Sequence, residues 1–520
     1  MTQHRPDSIL IIDFGSQYTH LITKQLRKLG FFTTTIAPHQ PLPPQDIEVR
    51  GIILSGGPNS VHTEDAPSLP SWVIPLNKPI LGICYGMQLL VNHFGGQFSS
   101  GDKREFGPSS MRWDVSEAQH LPAELELASQ VWMSHCDHLD QLPTSFTTWG
   151  TTTNGVIAAI SHTTQPILGV QFHPEVEHSL SGKALLEAFA THTCKLSSAT
   201  YFDSLAEQIG TKIRNQVGPQ GHVLMAVSGG VDSTVSAVLL ARALGRERVS
   251  CVMVDHGMMR AGEVTEVKNY FTELGVGLEV LDRHNLFFEQ LAGVSDPEQK
   301  RKIIGQGFIT CFEEWATGIQ HSNPYTHLGQ GTLYSDVIES AGAGHGAHTI
   351  KSHHNVGGLP EKLQLQLVEP LRQLFKDEVR QLGHQLKVPR KLLDRHPFPG
   401  PGLGIRVVGE VSPSKVAMLQ QADKIFIDSL KREDLYHTVW QAGAILLPVQ
   451  SVGVMGDQRT YEWTCVLRAV SATDAMTASV VEFPAGFLTQ VASKIVNSVA
   501  GINRVLYDIT SKPPATIEWE

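Results

Sequence analysis

Residues 78–94 read KPILGICYGMQLLVNHF: an apolar run, Gly82, a cysteine two residues on, Gly86, and then apolar residues at helical spacing. The period is strand-like over 79–83 and helical from the methionine onward, so the chain must turn sharply at Cys84 between glycines that leave room for the turn. This is the layout of a nucleophile elbow with cysteine in place of serine, and the helix start behind it favours a thiolate. An isolated cysteine is a small buried hydrophobe; its place in an elbow makes Cys84 a candidate nucleophile. Outward from the elbow the same pattern recurs. SILIID at 8–13 reads as a buried strand, a helix follows over 17–29 and stops at Gly30, and strand-like runs stand at 31–36, 51–54 and 166–170. Strands that run into Gly, Pro or His at their ends describe a parallel, doubly wound α/β sheet with ligand loops along one edge.

A thiolate nucleophile needs a base and a carboxylate to orient it, and His173 and Glu175 follow the strand at 166–170. Gly57, in the SGGP turn after 51–54, and the amide of Tyr85 are candidate oxyanion donors. His135, Cys136 and His138 also admit a zinc reading, but no second ligand pair stands at finger-like spacing.

A second unit opens with the strand HVLMAV at 222–227, the turn Ser228-Gly229-Gly230-Val231-Asp232-Ser233-Thr234, a helix over 231–243, and another strand at 249–254. The turn's glycines let the backbone wrap an anion, the helix start supplies N–H groups, and the hydroxyls add donors. Asp232 is placed to hold Mg²⁺. No lysine follows the glycines, so this is not a Walker loop. HPFPGPGLG at 396–404 has too much Pro and Gly for regular structure and is expected to mark the next boundary. The reading is thus two doubly wound α/β domains, 8–198 and 199–396, with an α+β domain over 397–520.

Composition agrees. At about 150 residues per domain, 520 residues give roughly three to four domains. Lys plus Arg is 41 against 51 for Asp plus Glu, a net charge of −10 that repels polyanions, so nucleic acid is not an expected partner. Neither a signal peptide nor 18 consecutive apolar residues is found, which excludes a membrane span on sequence grounds. Six cysteines without a CxxC pair fit a reducing cytoplasm.

The motifs IIDFGSQ, LSGGP, GICYGMQ and GVQFHPEV, in this order, resemble a class I glutamine amidotransferase. The resemblance implies glutamine hydrolysis through a thioester on Cys84, with Gln88 and Ser134-His135 near the glutamine. Cys136 stands where that family has glycine, so the local backbone is expected to differ. SGGVDS resembles the PP-loop of ATP pyrophosphatases, which implies cleavage at the α phosphate. Across 8–520, the blocks GQGTLYSDVIES, IKSHHNVGGLP, RHPFPGPGLG, SVGVMGD and SKPPATIEWE resemble the glutamine-hydrolysing GMP synthetase family. That resemblance implies xanthosine 5′-monophosphate (XMP) as acceptor, bound by Arg301, Gln441, Asp457, Arg459, Lys512 and Glu518, and adenylylated before ammonia displaces AMP. It also implies that Asp336, Glu339, Lys351 and Lys376 act on ATP and the adenylyl transfer. A C-terminal domain that pairs two chains into a homodimer and completes the XMP site is implied as well. The histidine-rich, glycine-rich stretch 341–358 reads as a lid carrying Lys351, with a metal-binding tract as the alternative.

Three other classes compete with this reading. One is a simple cysteine hydrolase, which leaves SGGVDST idle. Another is a different PP-loop amide ligase of the NAD synthetase kind, and the third is an inert nucleotide sensor.

Overall fold

The computed structural model describes residues 7–40, 47–63, 66–197, 201–319, 325–334, 336–337, 365–455, 457–472 and 477–520. They form two compact units, Met1–Leu205 and Ala206–Glu520. Glu339, Lys351 and the expected lid at 341–358 lie outside the described residues.

The first unit is built on β1 (Asp7–Ile12), β2 (Thr33–Ile36), β3 (Glu48–Leu54), β4 (Ile80–Ile83), β5 (Gln97–Trp113), β6 (Gln130–Gln141), β7 (Phe146–Thr152), β8 (Ile157–His162) and β9 (Ile167–Val170). Their order is β2-β1-β3-β4-β9-β8-β7-β5-β6. The first five are parallel, and β8, β7, β5 and β6 extend the sheet antiparallel. The doubly wound expectation therefore holds for the parallel half only. The β5–β6 stretch reads poorly from sequence because both strands are long and polar-rich. Along β1, Ile9 and Ile11 join one core cluster and Leu10 and Ile12 the other. This is how a period of two buries both faces when helices cover both.

In the second unit β10 (Val223–Ala226), β11 (Val249–Asp255), β12 (Leu278–Asp282), β13 (His327–Gly329) and β14 (Gln366–Val368) form an all-parallel sheet in the order β12-β11-β10-β13-β14. A second sheet joins β15 (Gln441–Met455), β16 (Gln458–Ser471), β17 (Ser479–Val480) and β18 (Ile502–Tyr507), with helix Pro413–Arg432 packed on it. The boundary expected at 396–404 does not part compact units. Leu403 is fully buried in one cluster with Met258, Phe287 and Ile304 on one side and Phe426, Ala444 and Leu467 on the other. Gly402 adopts φ +62°, and a Cβ there would stand 2.3 Å from the carbonyl oxygen of Met258. The Pro/Gly run is therefore a fitted wall. Among the described residues no helix is long and apolar enough to cross a membrane.

Candidate functional site

In the first unit the ends of β1, β3, β4 and β9 converge. Cys84 precedes helix Tyr85–His93 with φ 51° and ψ −108°, the strained conformation of an elbow. The flanking glycines are obligatory: a Cβ on Gly86 would lie 2.3 Å from the Leu54 oxygen, and one on Gly82 would lie 2.7 Å from the Gly86 backbone. Hydrogen bonds pin the turn from two sides. The Cys84 amide donates to Val170 O at 2.7 Å and the Gly86 amide donates to Ser55 O at 3.0 Å.

His173 and Glu175 both stand in the loop after β9 and are almost wholly buried, with Nδ1 of the imidazole 2.7 Å from Oε1 of the carboxylate. Burial works against a charged imidazole at His173. The Glu175 carboxylate and the neighbouring Cys84 sulfur outweigh it, and the pKa stands well above 6.5. The loop is anchored by the His173 amide on Trp132 O at 3.0 Å and by the Ser179 hydroxyl on His173 O at 2.6 Å. Cys84, His173 and Glu175 thus come together as read from sequence. Gly57 packs beside Tyr85, and Gly56 beside the His173 ring. Gln88 is buried, with Nε2 3.5 Å from Gln171 Oε1.

Two neighbours were not singled out from sequence. Gln171 Nε2 is 3.6 Å from Cys84 Sγ, and the edge of the Tyr18 ring meets the His173 ring at 5.0 Å. Gln171 sits inside the motif GVQFHPEV, and Tyr18 follows IIDFGSQ directly. The Cys84 thiol faces Ser134 O at 3.8 Å, and strand β6 runs on through residue 136. His135 Nδ1 is 2.9 Å from Asp137 O and His138 lies beside Ser99 and Asp140, while the Cys136 side chain of the zinc reading lies outside the described residues.

In the second unit, Ser228–Thr234 joins β10 to helix Val231–Leu244. Gly229 has φ +78°, the Ser228 amide donates to Ser233 Oγ at 3.2 Å, and the Thr234 hydroxyl donates to Gly230 O at 2.8 Å. The turn forms one wall of a cavity of about 1950 Å³. Asp232, Asp336 and Lys376 also line it. Lys376 Nζ meets Asp232 Oδ2 at 2.5 Å, while Asp232 Oδ1 is buried without a hydrogen-bond partner. An orphaned carboxylate oxygen beside a glycine-rich turn fits a divalent cation.

Arg301, Gln441 and Glu518 line the same cavity. Glu518 accepts two bonds from Arg406, at 2.9 and 2.7 Å, and one from Gln441 Nε2 at 2.6 Å. Burial would raise its pKa, but the buried Arg406 guanidinium outweighs that and holds it below the usual carboxylate range. Arg301 donates to the main-chain oxygen of Glu520. The other three expected XMP residues do not line this cavity. Asp457 and Arg459 are exposed at the β15–β16 connection, and Lys512 pairs its backbone with Ala478. The reason is geometric: β15 and β16 are a 15- and a 14-residue strand, which carry their connection away from the sheet's packed end. Sequence reading also passed over Arg260, Phe398 and Asp423 on the wall. The guanidiniums of Arg260 and Arg406 stand 4.9 and 5.2 Å from the centre of the Phe398 ring, and Arg260 meets Asp423 at 3.4 Å. Phe398 stood inside the run read as a boundary.

Residues 10–193 match the family described as glutamine amidotransferase class-I, 202–302 match NAD synthase, and 428–519 match the GMP synthase C terminal domain. Proteins named GMP synthase [glutamine-hydrolyzing] match over almost the whole chain. The one from Saccharomyces cerevisiae is 49% identical over 99% of this chain and 98% of its own, and that from Candida albicans 50% over 99% and 97%. The bacterial one from Chlorobium phaeovibrioides is 48% identical over 99% and 100%. A solved glutamine amidotransferase from Thermotoga maritima is similar at 19% identity, covering 39% of this chain and 90% of its own with a TM-score of 0.28. With curated relatives so alike over their full lengths, and an elbow, a glycine-rich turn before a helix and a C-terminal sheet in that order, the chain belongs to the glutamine-hydrolysing GMP synthase family.

Proposed function

We propose that this chain makes GMP from XMP, ATP and glutamine by two reactions on separate sites. At the first, Cys84 Sγ attacks the side-chain carbonyl carbon of glutamine. His173 delivers a proton to the departing ammonia, Glu175 holds the imidazole, and the Gly57 and Tyr85 amides receive the oxyanion. Water then opens the thioester to give glutamate. At the second, the turn Ser228–Thr234 grips the β and γ phosphates, with Lys376 beside it. The XMP oxygen at C2 attacks the α phosphorus and pyrophosphate leaves. Ammonia attacks C2 of the adenylyl-XMP and AMP leaves, giving GMP. Arg301, Gln441 and Glu518 hold the acceptor. Mg²⁺ carried by ATP would be held at Asp232 with Asp336 nearby, where it neutralises phosphate charge. Ammonia is mostly protonated in neutral water, which favours its passage sheltered from solvent.

The observation that carries the reading is that the glycine-rich turn and Arg301, Gln441 and Glu518 line one cavity. A PP-loop ligase of another kind has no use for a xanthine nucleotide on that wall. Asp457 and Arg459 sit on a hairpin bearing exposed Val452, Val454 and Tyr461. A second copy covering this face makes the homodimer and supplies them to the partner, which sedimentation at assay concentration checks. Buried free cysteines at 84, 194, 251, 311 and 465 suit the cytoplasm. The deciding assay supplies XMP, MgATP and glutamine and looks for AMP, pyrophosphate and GMP in equal amounts. Cys84→Ala should abolish the glutamine-driven reaction and spare the ammonia-driven one. ADP and orthophosphate as products would overturn the reading.

A further inference from the structure

Beside the phosphate-binding turn stands a side chain that the two reactions above leave unused. Arg395 Nη1 donates to Gly229 O at 3.0 Å and lies 3.3 Å from Glu263 Oε1, while Nη2 meets Glu266 Oε2 at 3.3 Å. Its side chain is 18% exposed and that of Glu263 is 8% exposed. Glu263 in turn accepts from the Arg260 amide at 3.1 Å. We propose that Arg395 is a positioning residue for ATP: it fixes the Gly229–Gly230 peptide and neutralises the two carboxylates that flank the turn.

The argument begins with the peptide plane. In a trans peptide the carbonyl of Gly229 and the N–H of Gly230 point in opposite directions. With the oxygen drawn to Arg395, the N–H is turned toward Ser228 Oγ, 3.4 Å away, on the side of the hydroxyls. A peptide between two glycines has little intrinsic preference, and Gly229 already sits at φ +78°. A flip would present a carbonyl oxygen to a phosphate in place of a donor. Holding one face of that peptide is therefore worth more here than at an ordinary turn. The second contribution is charge. Glu263 and Glu266 open helix Glu263–Glu273 and line the same cavity as the turn. Left unpaired, they would repel a polyphosphate. A planar fork reaches a carbonyl and two carboxylates at once, which a single ammonium does not.

This inference rests on reading Ser228–Thr234 as the ATP-phosphate site, and the experiment separates the two. Ammonia-driven GMP synthesis by the full chain is measured with ATP or XMP varied in turn. Arg395→Met should raise KM for ATP about tenfold or more, the scale of one lost charged hydrogen bond, and leave KM for XMP within about twofold. Arg395→Lys, which keeps the charge and loses the fork, should fall between wild type and Arg395→Met. An unchanged KM for ATP, or equal rises for both substrates, overturns the proposal. If Arg395→Met does not fold, the lysine variant alone decides: a KM for ATP like wild type overturns it. Ser233→Ala is the control. If it raises KM for ATP while the Arg395 variants do not, only the role of Arg395 fails. If it leaves KM unchanged, the ATP assignment fails and takes the inference with it.

Discussion

Replacing Glu175 by glutamine removes one charge from the glutaminase site and almost nothing else. The two side chains are isosteric, and the amide oxygen of glutamine can still accept from His173 Nδ1, now 2.7 Å from the carboxylate. What is lost is the preference for imidazolium. Two unit charges about 4 Å apart interact by about 4 kcal/mol at an effective dielectric of about 20, or close to three powers of ten. Glu175 is 1% exposed and His173 is 3% exposed, so solvent does not screen the pair away. In the native site the carboxylate overcomes the burial of His173 and keeps its pKa well above 6.5; without it, burial pushes the pKa down. The imidazole then sheds its proton near neutrality. Glutamine-driven GMP formation should fall roughly 10²- to 10⁴-fold, and the alkaline limb of its kcat/KM profile should move toward acid. Ammonia-driven synthesis by the same preparation should stay within about twofold, because no residue of the second unit is touched. A variant that keeps more than about a tenth of its glutamine-driven rate would refute the role of Glu175, as would parallel loss of both rates in a folded protein.

Glu518→Gln should lower the thermal midpoint of the second unit and raise KM for XMP, since Arg406 is 3% exposed and loses its bidentate partner. Asp423 remains 3.6 Å from Arg406, so a cost of about 3 kcal/mol is expected, at the low end for a broken buried pair. Calorimetry showing no change would contradict the network. The same carboxylate titrates below its ordinary value, so its stabilisation is present above about pH 4.5 and is lost as pH falls through the folded value. His256, fully buried, has its pKa pushed down from 6.5 to about 4 by burial. The unfolded chain therefore takes up a proton there between those values that the folded chain refuses, and stability falls as pH drops from 6.5 toward 4, by up to about 3 kcal/mol. Urea midpoints across that window should lose much of their slope in His256→Asn; an unchanged slope would exclude this histidine as a source.

The parallel sheets and the elbow were legible in sequence because their causes are local. Short apolar runs such as GIIL and ILGI, each followed by a glycine-containing turn, can be read residue by residue, and so can the steric demand at Gly86 that shapes the turn around Cys84. The grouping of Cys84, His173 and Glu175 was legible because the last two follow a strand whose edge is fixed by the fold class. The antiparallel half of the first sheet was not. In β5, QFSSGDKREFGPSSMRW, polar and apolar residues do not alternate, and what makes it a strand is pairing with β6 and β7.

The cavity wall was hidden for a different reason. Phe398, Arg260, Arg406, Asp423 and Glu518 span 259 positions of sequence, and each alone looks like an ordinary aromatic or surface charge. Their meaning lies in mutual compensation: two guanidiniums face one ring, Asp423 lies between them, and Glu518 closes the set. Burying that many charges is tolerable only when every one is paired. A run such as HPFPGPGLG then has to be rigid, because a wall that shifted would unpair several charges together. The composition that suggested a boundary is thus what a fixed wall requires. Proline sets φ along it, and Gly402 admits a close approach that any side chain would block.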